Sequence, residues 1–257
     1  MMAAICCCRP AAAQSGPHYD SSYVISYADK VTGRAYFSQK YTFFVAEAPE
    51  GVKDLQYRPN TSLNLGVGAT YRSFTLNLAY GFPFINQFKN DRGRTRYLDL
   101  QSHIYGFQWS VDLFGQFYKG YYLYPEKLPS FAPETYYKRP DLQVQEMGVH
   151  AYYIFNNRQF SYRAAFVQNA WQKKSAGSFL LGGGITYGRV QADSNFVPAT
   201  LATNYYQKDV NGLKYFEMGP GIAYAYTYVF REHWFATAAA TLSLDLGIVN
   251  ESAGNRS

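Results

Sequence analysis

The chain has 257 residues, of which 19% are aromatic and only 16% charged, and its formal net charge is +6. Soluble domains carry about 25% charged residues, so this chain is poorly supplied for a large solvated surface. Its basic residues form no stripe and no known binding motif, which argues against a nucleic-acid partner.

The opening "MMAAICCCRPAAAQ" has a short apolar run and then Ala11-Ala12-Ala13 before Gln14. It reads as a signal peptide over 1–13, cut at small residues. Cys6, Cys7 and Cys8 all lie within it, so the mature chain is expected to have no thiol or disulfide chemistry. Residues 14–30 read as a periplasmic lead-in, and 31–257 as one β domain. No apolar run reaches the roughly 18 residues that a spanning helix needs.

Ten strands are predicted in chain order. The first covers 33–47. The second and third form a hairpin in "SLNLGVGATYRSFTLNLAYG", residues 62–81, turning at Arg72-Ser73. Leu63, Leu65 and Val67 share one phase with Phe74, Leu76 and Leu78 of the return strand. Small or polar residues fill the other phase, as period two requires of a half-buried strand. Strands over 97–105, 107–118, 144–155 and 160–168 follow, then 178–188, 214–230 and 234–247.

Most of these segments are near ten residues or longer, the length that crosses a bilayer when tilted. Turns at 72–73, 105–106 and 156–158 are tight, whereas 82–96 and 119–142 are long. Short turns on one side and long loops on the other, with aromatics at strand ends, are habits of outer-membrane barrels. The expected fold is therefore an all-β, antiparallel up-and-down transmembrane β-barrel of about 10–12 strands. Two features resist that scheme. The connection 190–213 is long where up-and-down counting calls for a short inner turn, which implies either a helix or plug there or a miscounted strand. The polar end "GIVNESAGNRS" and a turn expected at Gly247 suggest a missing C-terminal hairpin.

"DKVTGRAYFSQKYTFFV", "LQYRPNTSLNLGVGATYRSFTLNLAYGFPF", "QKKSAGSFLLGGGITYG" and "GIAYAYTYVFREHWF" together resemble an uncharacterised family of Bacteroidota outer-membrane β-barrel proteins, catalogued only as a domain of unknown function. The resemblance covers most of 19–247. It implies a signal peptide, a barrel in the outer membrane of a Gram-negative bacterium and no known reaction, and it supplies no catalytic residue.

On this reading the barrel lumen is lined by Asn64, Thr70, Asn77, Asp99, Gln101, His103, Gln108, Ser110 and Asp112. The apolar phase meets outer-membrane lipid. Arg92, Arg94 and Arg96, in "KNDRGRTR", are candidates to contact glycolipid phosphates. The four histidines lack metal-ligand spacing, and "LLGGGITYG" lacks the Gly-Lys-Ser/Thr end of a phosphate loop, so no metal or cofactor is expected. The leading expectation is a structural or interaction protein, or a narrow pore. One alternative is an outer-membrane hydrolase using Ser102 or Ser110 with His103 and Asp112. Against it, Ser102 and His103 are adjacent and so point to opposite faces. The other alternative is a soluble barrel with an apolar ligand site, in which Leu63, Leu65, Phe74 and Leu76 face inward.

Overall fold

The computed structural model describes residues 18–80, 90–124, 136–231 and 233–254. The segment 1–13 expected to be a signal peptide, with its three cysteines, residue 89 of the basic cluster and residues 125–135 of the long loop lie outside these. The described residues form β1 (Val24–Ser26), β2 (Thr32–Ser38), β3 (Phe44–Ala46), β4 (Leu55–Arg58), β5 (Asn64–Tyr71) and β6 (Phe74–Tyr80). After a 3-10 turn at Asn90–Arg92 come β7 (Arg96–Tyr105), β8 (Trp109–Tyr124) and β9 (Lys138–Ile154). Helix α1 (Tyr162–Phe166), β10 (Ala170–Gln172), β11 (Ala176–Gln191), β12 (Val210–Phe230), β13 (Trp234–Ser243) and β14 (Leu246–Ala253) complete the chain.

The main sheet runs β2-β5-β6-β7-β8-β9-β11-β12-β13, and every neighbouring pair is antiparallel. This is the all-β antiparallel meander that the alternation predicts. Among the described residues it is not closed: β2 forms one edge, and β13 with β14 the other. Nine strands lie on the path, so the two edges run in the same direction, and pairing them directly would make a parallel seam. Antiparallel closure takes an even number of strands.

Several expected boundaries move. The predicted first strand breaks into β2 and β3, because residues 39–43 leave the edge and cross to β7 and β8. Lys40 Nζ reaches Asp99 Oδ1 at 2.6 Å, and Thr42 donates to Gln116 Oε1 at 2.7 Å. The predicted strand 160–168 is instead α1 and its flanks. Ser161, in extended backbone, caps the helix by accepting from the Ala164 amide at 3.2 Å. Without that strand in the count, the long connection 192–209 falls at the same end as 39–63, 81–95 and 125–137. The turns after β5, β7 and β12 lie at the opposite end, together with the long connection 155–175 that carries α1 and β10.

The final strand runs past Gly247 to Ala253, with no turn at Gly247. β13 and β14 pair with successive halves of β12 and are separated only by Leu244-Asp245. Pro220 sits opposite this break. It has no amide to give the ladder, and its carbonyl accepts from the Leu244 amide at 3.0 Å.

The two faces of the sheet differ sharply. On the outer face, large apolar side chains are exposed, among them Val67, Phe74, Leu76, Leu78, Leu113, Ile185 and Ile222. Near the short-turn end this band ends in Trp109, Tyr153, Phe155, Phe179, Phe230 and Trp234. Trp109 and Tyr153 meet edge to face with centroids 5.2 Å apart. From Met147 to Phe155 the band extends roughly 27 Å along β9, at about 3.4 Å per residue.

The inner face is capped at both ends by apolar clusters. At the long-loop end Leu55 and Tyr57 of β4 pack with Phe196 and Val197 on Tyr118, Leu142, Val144 and Val190. At the other end Phe160 packs on Ile154, Ala176, Leu180 and Ala225. Gly120 allows the first cap to form. Its φ is +93°, and a Cβ there would collide with the Arg94 carbonyl. The bulge at this glycine turns the end of β8 toward β4, with Arg58 opposite Tyr122.

Candidate functional site

The polar residues of the inner face lie between the two caps. One rung of the sheet carries Thr70, Thr75, His103, Asp112, His150 and Gly184 in order, each the cross-strand partner of the next. Thr70 and Thr75 hydroxyls are 2.9 Å apart and almost fully buried. His103 Nδ1 lies 2.6 Å from Asp112 Oδ1, and the Tyr105 hydroxyl donates to the same carboxylate oxygen at 2.7 Å.

Two cavities flank this rung. The first, about 520 Å³, is lined by Arg34, Tyr36, Asn77, Asp99, Gln101 and His103 among others. The second, about 350 Å³, is lined by Asp112, His150, Tyr152, Gly184, Thr241 and Asp245 among others. His103 thus faces one cavity and Asp112 the other, and their bond ties the two walls together. In the first cavity Arg34 Nε donates to Asn77 Oδ1 at 3.1 Å, and Asp99 also accepts from the Tyr118 hydroxyl at 3.2 Å. Asn64 accepts from the Tyr97 hydroxyl at 2.8 Å. Tyr162 of α1 reaches the second cavity from the short-turn cap. Burial, followed by the Asp112 carboxylate, pushes its hydroxyl up to about 12.

Of the expected lumen residues, Asn64, Thr70, Asn77, Asp99, Gln101, His103, Ser110 and Asp112 sit on this inner face. Gln108 lies in the bend between β7 and β8, where its carbonyl accepts from the Ile154 amide at 2.8 Å. Ser102 is on the outer phase with Leu98 and Leu100, opposite His103. Ser110 is buried, and its hydroxyl has no hydrogen bond to His103. The His103–Asp112 pair is therefore formed, but neither the Ser102 nor the Ser110 hydroxyl is hydrogen-bonded to it. Among the described residues, no group of three metal-ligating side chains converges.

Small residues on the inner phase make room for rings from the next strand. A Cβ at Gly184 would meet the His150 imidazole, and one at Gly188 would meet the Tyr215 ring. This accounts for Gly184 and Gly188 of "LLGGGITYG", whereas at Gly182 and Gly183 a Cβ would meet the Ala151 and Gly219 carbonyls of the neighbouring strands. Gly184→Leu is expected to cost about 1–3 kcal/mol by overpacking. His150→Ala in the same molecule should recover most of that loss, as read by thermal unfolding in detergent. A loss unchanged in the double variant would show that the ring is not what the glycine accommodates.

The three arginines do not form one cluster. The Arg92 guanidinium lies over the Tyr122 and Tyr136 rings, 5.5 and 5.1 Å from their centroids, and donates to the Tyr136 hydroxyl. Arg94 is exposed in the connection before β7. Arg96 opens β7 on the outer phase. Sequence reasoning also missed Arg139 and Asp141, a buried pair at the head of β9. Its signal was an i, i+2 spacing, which puts both side chains on one strand face.

A family model described as Domain of unknown function (DUF4421) matches residues 18–257. The chain belongs to this family. No curated protein and no solved structure matches it. The DUF4421 chain thus combines an exposed apolar outer face with a hydrogen-bonded inner face; among its described residues no helix is long and apolar enough to cross a membrane, which says nothing about strands.

Proposed function

We propose that this DUF4421 chain is a non-enzymatic β-barrel protein of a Gram-negative, Bacteroidota-type outer membrane, serving as a structural or interaction protein or as a narrow pore. The observation that carries this reading is the inversion of its faces. Phe74 is 52% exposed, Leu76 50% and Ile185 42%, whereas Thr70 and Thr75 are each 1% exposed. In water, an apolar patch of that extent marks an interaction surface. A continuous band over most of a sheet, bordered by aromatics, suits lipid. The soluble alternative needs Phe74 and Leu76 to face inward, which is the opposite of their position. The inner face is capped at both ends by apolar clusters, which suits a structural role better than a wide channel. Purified protein should keep its sheet content in detergent and precipitate when detergent is withdrawn. A monodisperse, folded monomer without detergent would falsify this reading.

A further inference from the structure

The outer face carries a second feature, above the apolar band at the long-loop end. Arg96 stands directly opposite Lys119, and Arg189 directly opposite Lys214. Like charges in direct cross-strand register are destabilising, and here the arrangement occurs twice on one rim of one face. Carboxamides separate the two pairs: Gln143 is the next partner of Lys119, and Gln145 the next partner of Arg189. None of the four cations belongs to an ion pair among the described residues. One step down the same face the side chains are Leu98, Phe117, Tyr187 and Phe216.

Around the first pair the surface is hollow. A depression of about 270 Å³ is lined by Arg96, Lys119, Gln143, Gln145, Leu98 and Phe117, with Tyr97 and Tyr118. It joins two cations and two amide groups at its upper edge to an apolar floor. A guanidinium donates two parallel bonds to phosphate oxygens, and an ammonium adds a point charge. An anion held there would also relieve the repulsion between Arg96 and Lys119.

We infer that this rim binds the phosphate of a membrane lipid headgroup, with Arg96 and Lys119 as the primary site and Arg189 and Lys214 as its continuation. The start of an acyl chain lies on Leu98 and Phe117. This rests on the membrane reading above. It also redistributes the role expected of the basic cluster: Arg92 is engaged with Tyr122 and Tyr136, Arg94 lies off the rim, and only Arg96 remains in it.

The test uses the full chain reconstituted in phosphatidylcholine vesicles containing a minor fraction of phosphatidic acid. Lipid retained after gentle extraction is read by native mass spectrometry. The unmodified protein should retain phosphatidic acid in preference to phosphatidylcholine. The double variant Arg96→Gln, Lys119→Gln should lose that preference by roughly tenfold. Arg189→Gln with Lys214→Gln should lower it less, and Arg94→Gln should leave it unchanged. Circular dichroism on the same samples ensures that only folded variants are compared. No preference in the unmodified protein, or an unchanged preference in the Arg96/Lys119 variant, overturns the inference while leaving the membrane reading intact. Complete displacement by millimolar inorganic phosphate overturns the lipid assignment in favour of a free anion. Failure to insert into phosphatidylcholine vesicles overturns the membrane reading, and the inference with it.

Discussion

Arg139→Met should release the segment 192–205 from the inner face while leaving the strands paired. Arg139 is 2% exposed. Its Nε and Nη2 donate to the two Asp141 carboxylate oxygens at 2.9 and 2.8 Å. Its remaining donors reach the Asn195 and Ser194 carbonyls at 2.8 and 2.9 Å. One guanidinium therefore joins β9 to the chain that carries Phe196 and Val197 into the long-loop cap. Removing one partner of a buried pair costs about 3–5 kcal/mol, because the other charge is left uncompensated. The Asp141 side chain is 17% exposed, so water relieves part of that cost and the lower end is expected here. Methionine keeps much of the volume, so packing loss is secondary. Hydrogen exchange should show lost protection over 192–205, with β8, β9 and β11 unchanged. Equal protection in the variant would mean that the cap is held by apolar contacts alone.

Ile185→Arg should have a comparable effect for a different reason. Ile185 lies in the middle of the outer face, with Val149 and Met218 as its cross-strand partners. At the midplane of a bilayer, arginine on a lipid-facing strand position costs about 2–4 kcal/mol. That corresponds to roughly a thirtyfold to thousandfold shift in the folding equilibrium. In water the same change at an exposed position falls within about 0.5 kcal/mol of neutral. The two media thus predict very different outcomes for one substitution. Folding yield into vesicles, scored by protease resistance, should drop for Ile185→Arg and stay level for Ile185→Leu. Equal yields for both would place Ile185 in contact with water.

The main sheet was legible in the sequence because strand alternation is local. The hairpin at Arg72-Ser73 forms as read, with Arg72 at φ 53°, and its apolar phase is the exposed one. The same logic extends to His103 and Asp112. They sit at equal distances from the turn between β7 and β8, so the register of that hairpin places them opposite each other. What failed was local pattern where a cap or a tertiary contact dominates. "FSYRAAFVQ" alternates well enough to pass for a strand, yet Ser161 caps a helix of one turn, too short for a 3.6-residue period to register. Helix α1 is then held by Arg163, which donates to the Arg72 carbonyl at 2.8 Å from 91 positions away. No window along the chain contains that contact. Arg139 and Asp141 fall within the expected loop 119–142, because a strand extending beyond the apolar band has no apolar alternation to reveal it. The long-loop cap was hidden for a related reason, since β3 and β4 have only three and four residues.

The most direct measurement is the collision accessibility of a nitroxide at Leu181, compared with one at Lys214, in a chain whose Cys6, Cys7 and Cys8 have been replaced and which is reconstituted in phosphatidylcholine. Both positions lie on the outer face, Leu181 in the apolar band and Lys214 on the basic rim. The label at Leu181 should be relaxed more by oxygen than by a water-soluble nickel chelate, and the label at Lys214 the reverse. Greater relaxation of the Leu181 label by the nickel chelate would contradict a lipid-facing outer surface.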